Sequence, residues 1–172
     1  GYMELCCLYG YRFGDTGGTF DEDPVKAQRI LDFRRQFSQF QFRSRFMDNQ
    51  GLTVHDDSVL ANLFTRDEAG TRGALVVAWN PQEKAGVTAA VAADRVGKLK
   101  AAWLFRVGAE PERLATAVRE GQYRFALPSE KLCAVLLLER CEPLLDLDKV
   151  SPVVAGETGQ VTATLRNLEA DP

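Results

Sequence analysis

Four aromatic side chains, Tyr2, Tyr9, Tyr11 and Phe13, crowd the first thirteen residues. An aromatic face packs well on the apolar C–H face of a pyranose ring, so such a group is the kind of surface that holds a sugar. Asp15 follows within "GDTGG", in a stretch, "YGYRFGDTGGTF", that also carries Gly10, Gly14, Gly17 and Gly18. A carboxylate exposed on such a loop accepts hydrogen bonds from hydroxyl groups. The same side chain would also serve an Asx-turn or cap within its own loop. Tyr11, Arg12 and Asp15 are the candidate substrate-binding residues. Aromatic rings are also ordinary core material, and that reading of the tyrosines stands beside the first.

The remaining reactive side chains point to less. His55 is the only histidine, and it precedes Asp56 and Asp57 in "TVHDDS". No Ser–His arrangement can be named for it, and a histidine-rich metal site needs a second His, so it reads as a turn residue. Cys6, Cys7, Cys133 and Cys141 match neither a C-x-x-C nor a zinc spacing and are expected to be reduced and structural. Neither G-x-G-x-x-G nor a Walker-type phosphate loop occurs. No catalytic residue, metal or cofactor is expected.

Around these residues the chain divides into three parts: 1–50, 51–143 and 144–172. In the first, Asp23 is a helix N-cap with Pro24 behind it. Ile30, Phe33, Phe37 and Phe40 then recur at spacings of three and four, an apolar stripe on one amphipathic helix of about four turns. Arg34, Arg35, Gln36 and Gln39 are expected on the other side, and the stripe demands a large surface to pack against.

The second part is all-β in pattern. Strands are predicted at 58–66, 73–80, 87–93, 101–107, 113–119, 121–127 and 131–139, split by turn clusters such as "DEAGTRG" and "NPQEKAG". This spacing predicts a mainly β fold, an antiparallel β-sandwich of about seven to eight strands with an N-terminal amphipathic helix. "LVVAW" and "AVLLL" are apolar on both faces and are expected to be central. Tyr123, Phe125 and Leu127 share a face. Trp79 and Trp103 are expected in the core. The third part predicts a strand near 144–147 and another over the alternation Val161, Ala163, Leu165; so few strands leave edges in need of partners.

Bulk composition narrows the partners. Net charge is −3, 45% of residues are hydrophobic, and no block of five like charges occurs, so nothing recommends nucleic acid or an anionic membrane. No apolar run approaches the roughly 20 residues of a membrane span.

The last stretch resembles the first strands of Ig-like modules of the CARDB kind, which follow catalytic domains in bacterial carbohydrate-active proteins. Pro152, the Gly156–Glu157 turn, Val161 to Arg166 and Asn167 carry that resemblance. The Gly-rich loop, the Phe- and Arg-rich helix and "GALVVAWNP", with Leu75 to Asn80 as its core, look like the exit from a (β/α)-barrel glycoside hydrolase into its C-terminal β-sandwich. The resemblance implies a loop and final helix of a barrel at 1–50, the sandwich at 51–143 and the start of an Ig-like module at 144–172. It implies an internal piece of a modular enzyme, secreted or periplasmic, whose partners are carbohydrate and the missing barrel. Glycoside hydrolysis uses two carboxyl groups flanking the scissile bond. Only Glu4, Asp15 and Asp21 stand where such a site could draw on them, and Asp21 is better explained by the helix start.

The function expected is a non-catalytic accessory portion of a glycoside hydrolase that stabilises the barrel. The alternative is a stand-alone glycan- or protein-binding module, for which only Tyr123 and Trp103 offer rings on the sandwich. On the first reading the separate chain, its stripe and terminal strands unpartnered, is expected to aggregate or to fold only in part.

Overall fold

The computed structural model describes residues 2–11, 23–150 and 161–168. The helices are α1 (Tyr2–Tyr9), α2 (Pro24–Arg35), α3 (Ser38–Phe42) and α4 (Ala93–Val96). The strands are β1 (Arg45–Asp48), β2 (Leu52–Val54), β3 (Leu60–Glu68), β4 (Thr71–Trp79), β5 (Thr88–Ala92), β6 (Ala101–Arg106), β7 (Glu112–Arg113), β8 (Ala117–Arg119), β9 (Gln122–Ala126), β10 (Leu132–Arg140), β11 (Leu144–Val150) and β12 (Val161–Arg166).

Strand alternation decides how these elements layer. Successive side chains of a strand point to opposite faces, so an unbroken apolar run must be covered on both. In β10, Ala134, Leu136 and Leu138 face one way, and Cys133, Val135 and Leu137 the other. β4 and β6 divide in the same manner, with Leu75, Val77, Trp103 and Phe105 on the first face and Val76, Ala78, Ala102 and Leu104 on the second. These three strands are the middle of a six-stranded antiparallel sheet ordered β1-β3-β4-β10-β6-β7. Its second face packs on a four-stranded sheet, β2-β5-β9-β8, which contributes Leu52, Val91, Tyr123 and Phe125. The protein is mainly β, two antiparallel sheets face to face.

The first face of the larger sheet carries the helices. Asp23 caps α2 by accepting the Lys26 N–H at 3.0 Å. The apolar stripe is real, but the helix breaks after Arg35 and restarts as α3. Phe33, Phe37 and Phe40 are fully enclosed; Phe37 meets Phe33 edge-on at 4.9 Å and Phe105 of the sheet at 5.6 Å. The stripe therefore finds its large surface within this chain. The break also corrects the place of Arg34, which is only 4% exposed, with its guanidinium over the Phe42 ring at 4.9 Å.

The predicted strand at 113–119 is divided between the two sheets. Its start, β7, pairs with β6, and its end, β8, pairs with β9. Leu114 N–H donates to Ala102 O at 2.9 Å where the chain leaves the larger sheet. Tyr123 is not an exposed ring: it is buried, its hydroxyl donating to Gly97 O at 2.7 Å and accepting from Leu99 N at 3.1 Å. Trp103 is also buried, with Arg113 over its face at 4.4 Å. Trp79 is half-buried. All four cysteines are buried and free. β11 and β12 pair with each other, antiparallel, outside both sheets. Beyond them Leu168 enters the core under the helices, where its carbonyl accepts the Trp103 indole N–H at 2.7 Å. Among the described residues no helix is long and apolar enough to cross a membrane.

Candidate functional site

The aromatic residues of the N-terminus gather at one edge of the larger sheet. α1 runs across that sheet on Met3 and Cys7. Its last carbonyls lack helical partners, and two buried amides supply them. Gln41 Nε2 donates to Cys7 O at 2.8 Å, and Asn62 Nδ2 donates to Leu8 O at 3.1 Å. Gly10 then turns the chain at φ 72, a conformation that favours glycine. A Cβ there would stand 3.0 Å from the Phe64 ring, so the turn lies directly on that side chain.

This anchoring sets the exposed rings in place. Tyr9 and Tyr11 stack at 5.8 Å with planes 19° apart. Phe46 of β1 tilts against Tyr9 at 6.4 Å and rests on Phe64, its register partner in β3, at 5.3 Å. Tyr9 is 39% exposed, Tyr11 64% and Phe46 46%. The three form a stepped aromatic platform on a buried Phe64 base.

Tyr9 is also one wall of a cleft of about 320 Å³ that Asp48, Asn49, Asp57 and Asn62 help to line. Asp48 ends β1 with φ 56, where the chain enters the turn. Asp56, on the same cleft, is already engaged within the fold. Ser58 donates to its Oδ1 from N at 2.9 Å and from Oγ at 2.6 Å, and Lys84 Nζ lies 3.1 Å from both oxygens. Such a wall of stacked rings beside carboxylate and amide groups can hold a sugar ring by its apolar face and accept hydrogen bonds from its hydroxyls.

The Ser58 hydroxyl, then the Ser58 N–H, then Lys84 hold the Asp56 carboxyl down, from 3.8 to about 2. Its contribution to stability is therefore present above the ordinary carboxylate range and is lost as pH falls through about 2. The difference in unfolding midpoint between the chain and Asp56→Asn should be constant at neutral pH and shrink below about pH 4. A pH series of thermal midpoints checks it, and a difference that persists unchanged to pH 2 would show that the carboxylate is not so held.

Of the residues singled out in the sequence, Tyr9 and Tyr11 come together, whereas Tyr2 makes no ring contact with them. Arg12, Phe13, Asp15 and Asp21 lie outside the described residues. Glu4 is buried and paired with Lys26 at 3.0 Å. His55 is exposed at the end of β2, with its N–H on Thr88 O. Among the described residues no group of three His, Cys, Asp or Glu is placed to hold a metal. Phe46, Asp48 and Asn49 were not anticipated. Their signal was the turn "DNQG" between two short apolar stretches. No family model, curated protein or solved structure matches this chain.

Proposed function

We propose that this chain is a carbohydrate-contacting accessory region of a glycoside hydrolase, and that the aromatic platform is its contact surface. The observation that carries the reading is the Tyr9–Tyr11 stack, flanked by Phe46 and set beside the cleft of Asp48, Asn49 and Asp57. A stacked pair of tyrosine rings, each with only two side-chain torsions, loses little entropy on binding and suits the flat face of a pyranose. The carboxylates whose partners are known act within the fold: Asp23 as a cap, Glu4 in an ion pair, Asp56 in a turn.

The test is retardation of the chain in native gels cast with soluble neutral polysaccharides, followed by calorimetry on the polysaccharide that retards it. Tyr9→Ala and Tyr11→Ala should each weaken binding about tenfold. Retardation that is equal in the parent chain and in both variants would remove the platform from the contact.

A second reading has one observation in its favour. Tyr2 is 48% exposed and lies two turns before Tyr9 on the same face of α1, which extends the aromatic surface. A surface of that length fits a protein neighbour, such as the barrel of a parent enzyme. No retardation by any polysaccharide would favour this reading over the first.

A further inference from the structure

Arg45 and Phe46 are successive residues of β1, so they point to opposite faces of the sheet. On the Arg45 side opens a cleft of about 430 Å³ lined by five arginines: Arg43, Arg45, Arg66, Arg72 and Arg95. Three carboxylates, Asp67, Glu68 and Asp94, share the lining. In a chain of net charge −3 this is a basic island.

The arginines divide into two groups. Arg66, its side chain only 4% exposed, donates from Nε and Nη2 to Glu68 at 3.0 and 2.9 Å. Arg72 lies 3.6 Å from Asp67 and 3.1 Å from Glu139. Those ion pairs fix the floor of the cleft and occupy Asp67 and Glu68. Arg43, Arg45 and Arg95 have no ion pair among the described residues. Arg95 is the most constrained of them. Its stem lies against Gly51, where a Cβ would stand 3.0 Å from its Cγ and Nε. Its Nε is shut off from water with no hydrogen-bond acceptor.

A guanidinium that is partly desolvated and unpaired is unfavourable until an acceptor arrives. Several in one concavity focus a positive potential there. Guanidinium donors match the geometry of carboxylate, sulfate and phosphate oxygens. We infer that this cleft is an oxyanion site that takes a phosphate, sulfate or carboxylate group of a ligand on Arg43, Arg45 and Arg95, with the Thr65 hydroxyl beside them. It is distinct from the aromatic platform and stands whether or not that platform binds sugar.

The test is a nuclear magnetic resonance titration of the full chain with inorganic phosphate, and separately with sulfate and with glucuronate, at ionic strength held constant with chloride. Saturable shifts are expected at the Gly51 and Thr65 amides and at Arg95 Nε–H. The probe that saturates first separates tetrahedral anions from carboxylates as the source. In the double variant Arg45→Gln/Arg95→Gln the affinity should fall at least about tenfold. Arg119→Gln, outside the cleft, should leave it unchanged. If the double variant fails to fold, Arg43→Gln, on an exposed residue, carries the same test. Shifts that grow linearly without saturating, or a titration that survives the cleft variants unaltered, would overturn the assignment.

Discussion

Replacing Phe37 with alanine is expected to destabilise the chain by about 3–5 kcal/mol and to lower its unfolding midpoint by about 10 °C. Phe37 is fully enclosed and touches Phe33 within the helical layer and Phe105 across the layer boundary. Its removal leaves a void between two surfaces that are each held independently, one by the strand ladder and one by α1, so neither can relax far to fill it. Val25→Ala is the companion measurement. Val25 belongs to the same helical layer, in the first turn of α2, but is exposed, and its truncation should cost no more than about 0.5 kcal/mol. Urea unfolding followed by circular dichroism measures both. A Phe37→Ala cost below about 1 kcal/mol would mean that the helices are not part of the cooperative unit, and that the stripe awaits a partner outside this chain.

The second large effect is expected at Gly73. It lies mid-strand in β4, opposite Leu138 in β10 and Arg66 in β3. A methyl group built there collides with the main-chain carbonyl oxygen of Leu137 and comes within 3.2 Å of Leu138 Cα. Both obstacles are backbone, so no rotamer change relieves the clash, and β4 and β10 must part locally. Gly73→Ala should cost about 3 kcal/mol, and chemical denaturation measures it. A variant as stable as its parent would place β4 and β10 in a different register from the one described.

What could be read in the sequence follows from how local its causes are. The central strands were legible because "LVVAW" and "AVLLL" are apolar at every position, which only a doubly covered strand accepts. The start of α2 was legible because Asp23 and Pro24 act on their own turn. The three-and-four spacing of the phenylalanines gave the stripe but neither the break after Arg35 nor the burial of Arg34, since both depend on what packs above α2. "RLATAVR" reads as one strand, and only the two sheets around it divide it. β1 and β2 are four and three residues long, too short for a period to emerge. The tyrosines of the platform stood out by type. Phe46 joins them through the β1–β3 register, a long-range pairing that residue spacing does not encode.

The hydrogen bond from the Trp103 indole to Leu168 gives the molecule an intrinsic optical reporter. The chain has two tryptophans, so in a Trp79→Phe background all indole emission comes from Trp103. Its colour then depends on whether Leu168 covers it. Undocking of the segment behind β12 would wet the indole and redden its fluorescence, while backbone dichroism would follow the sheets. Two instruments on one sample would thus time the undocking of Leu168 against the melting of the two sheets.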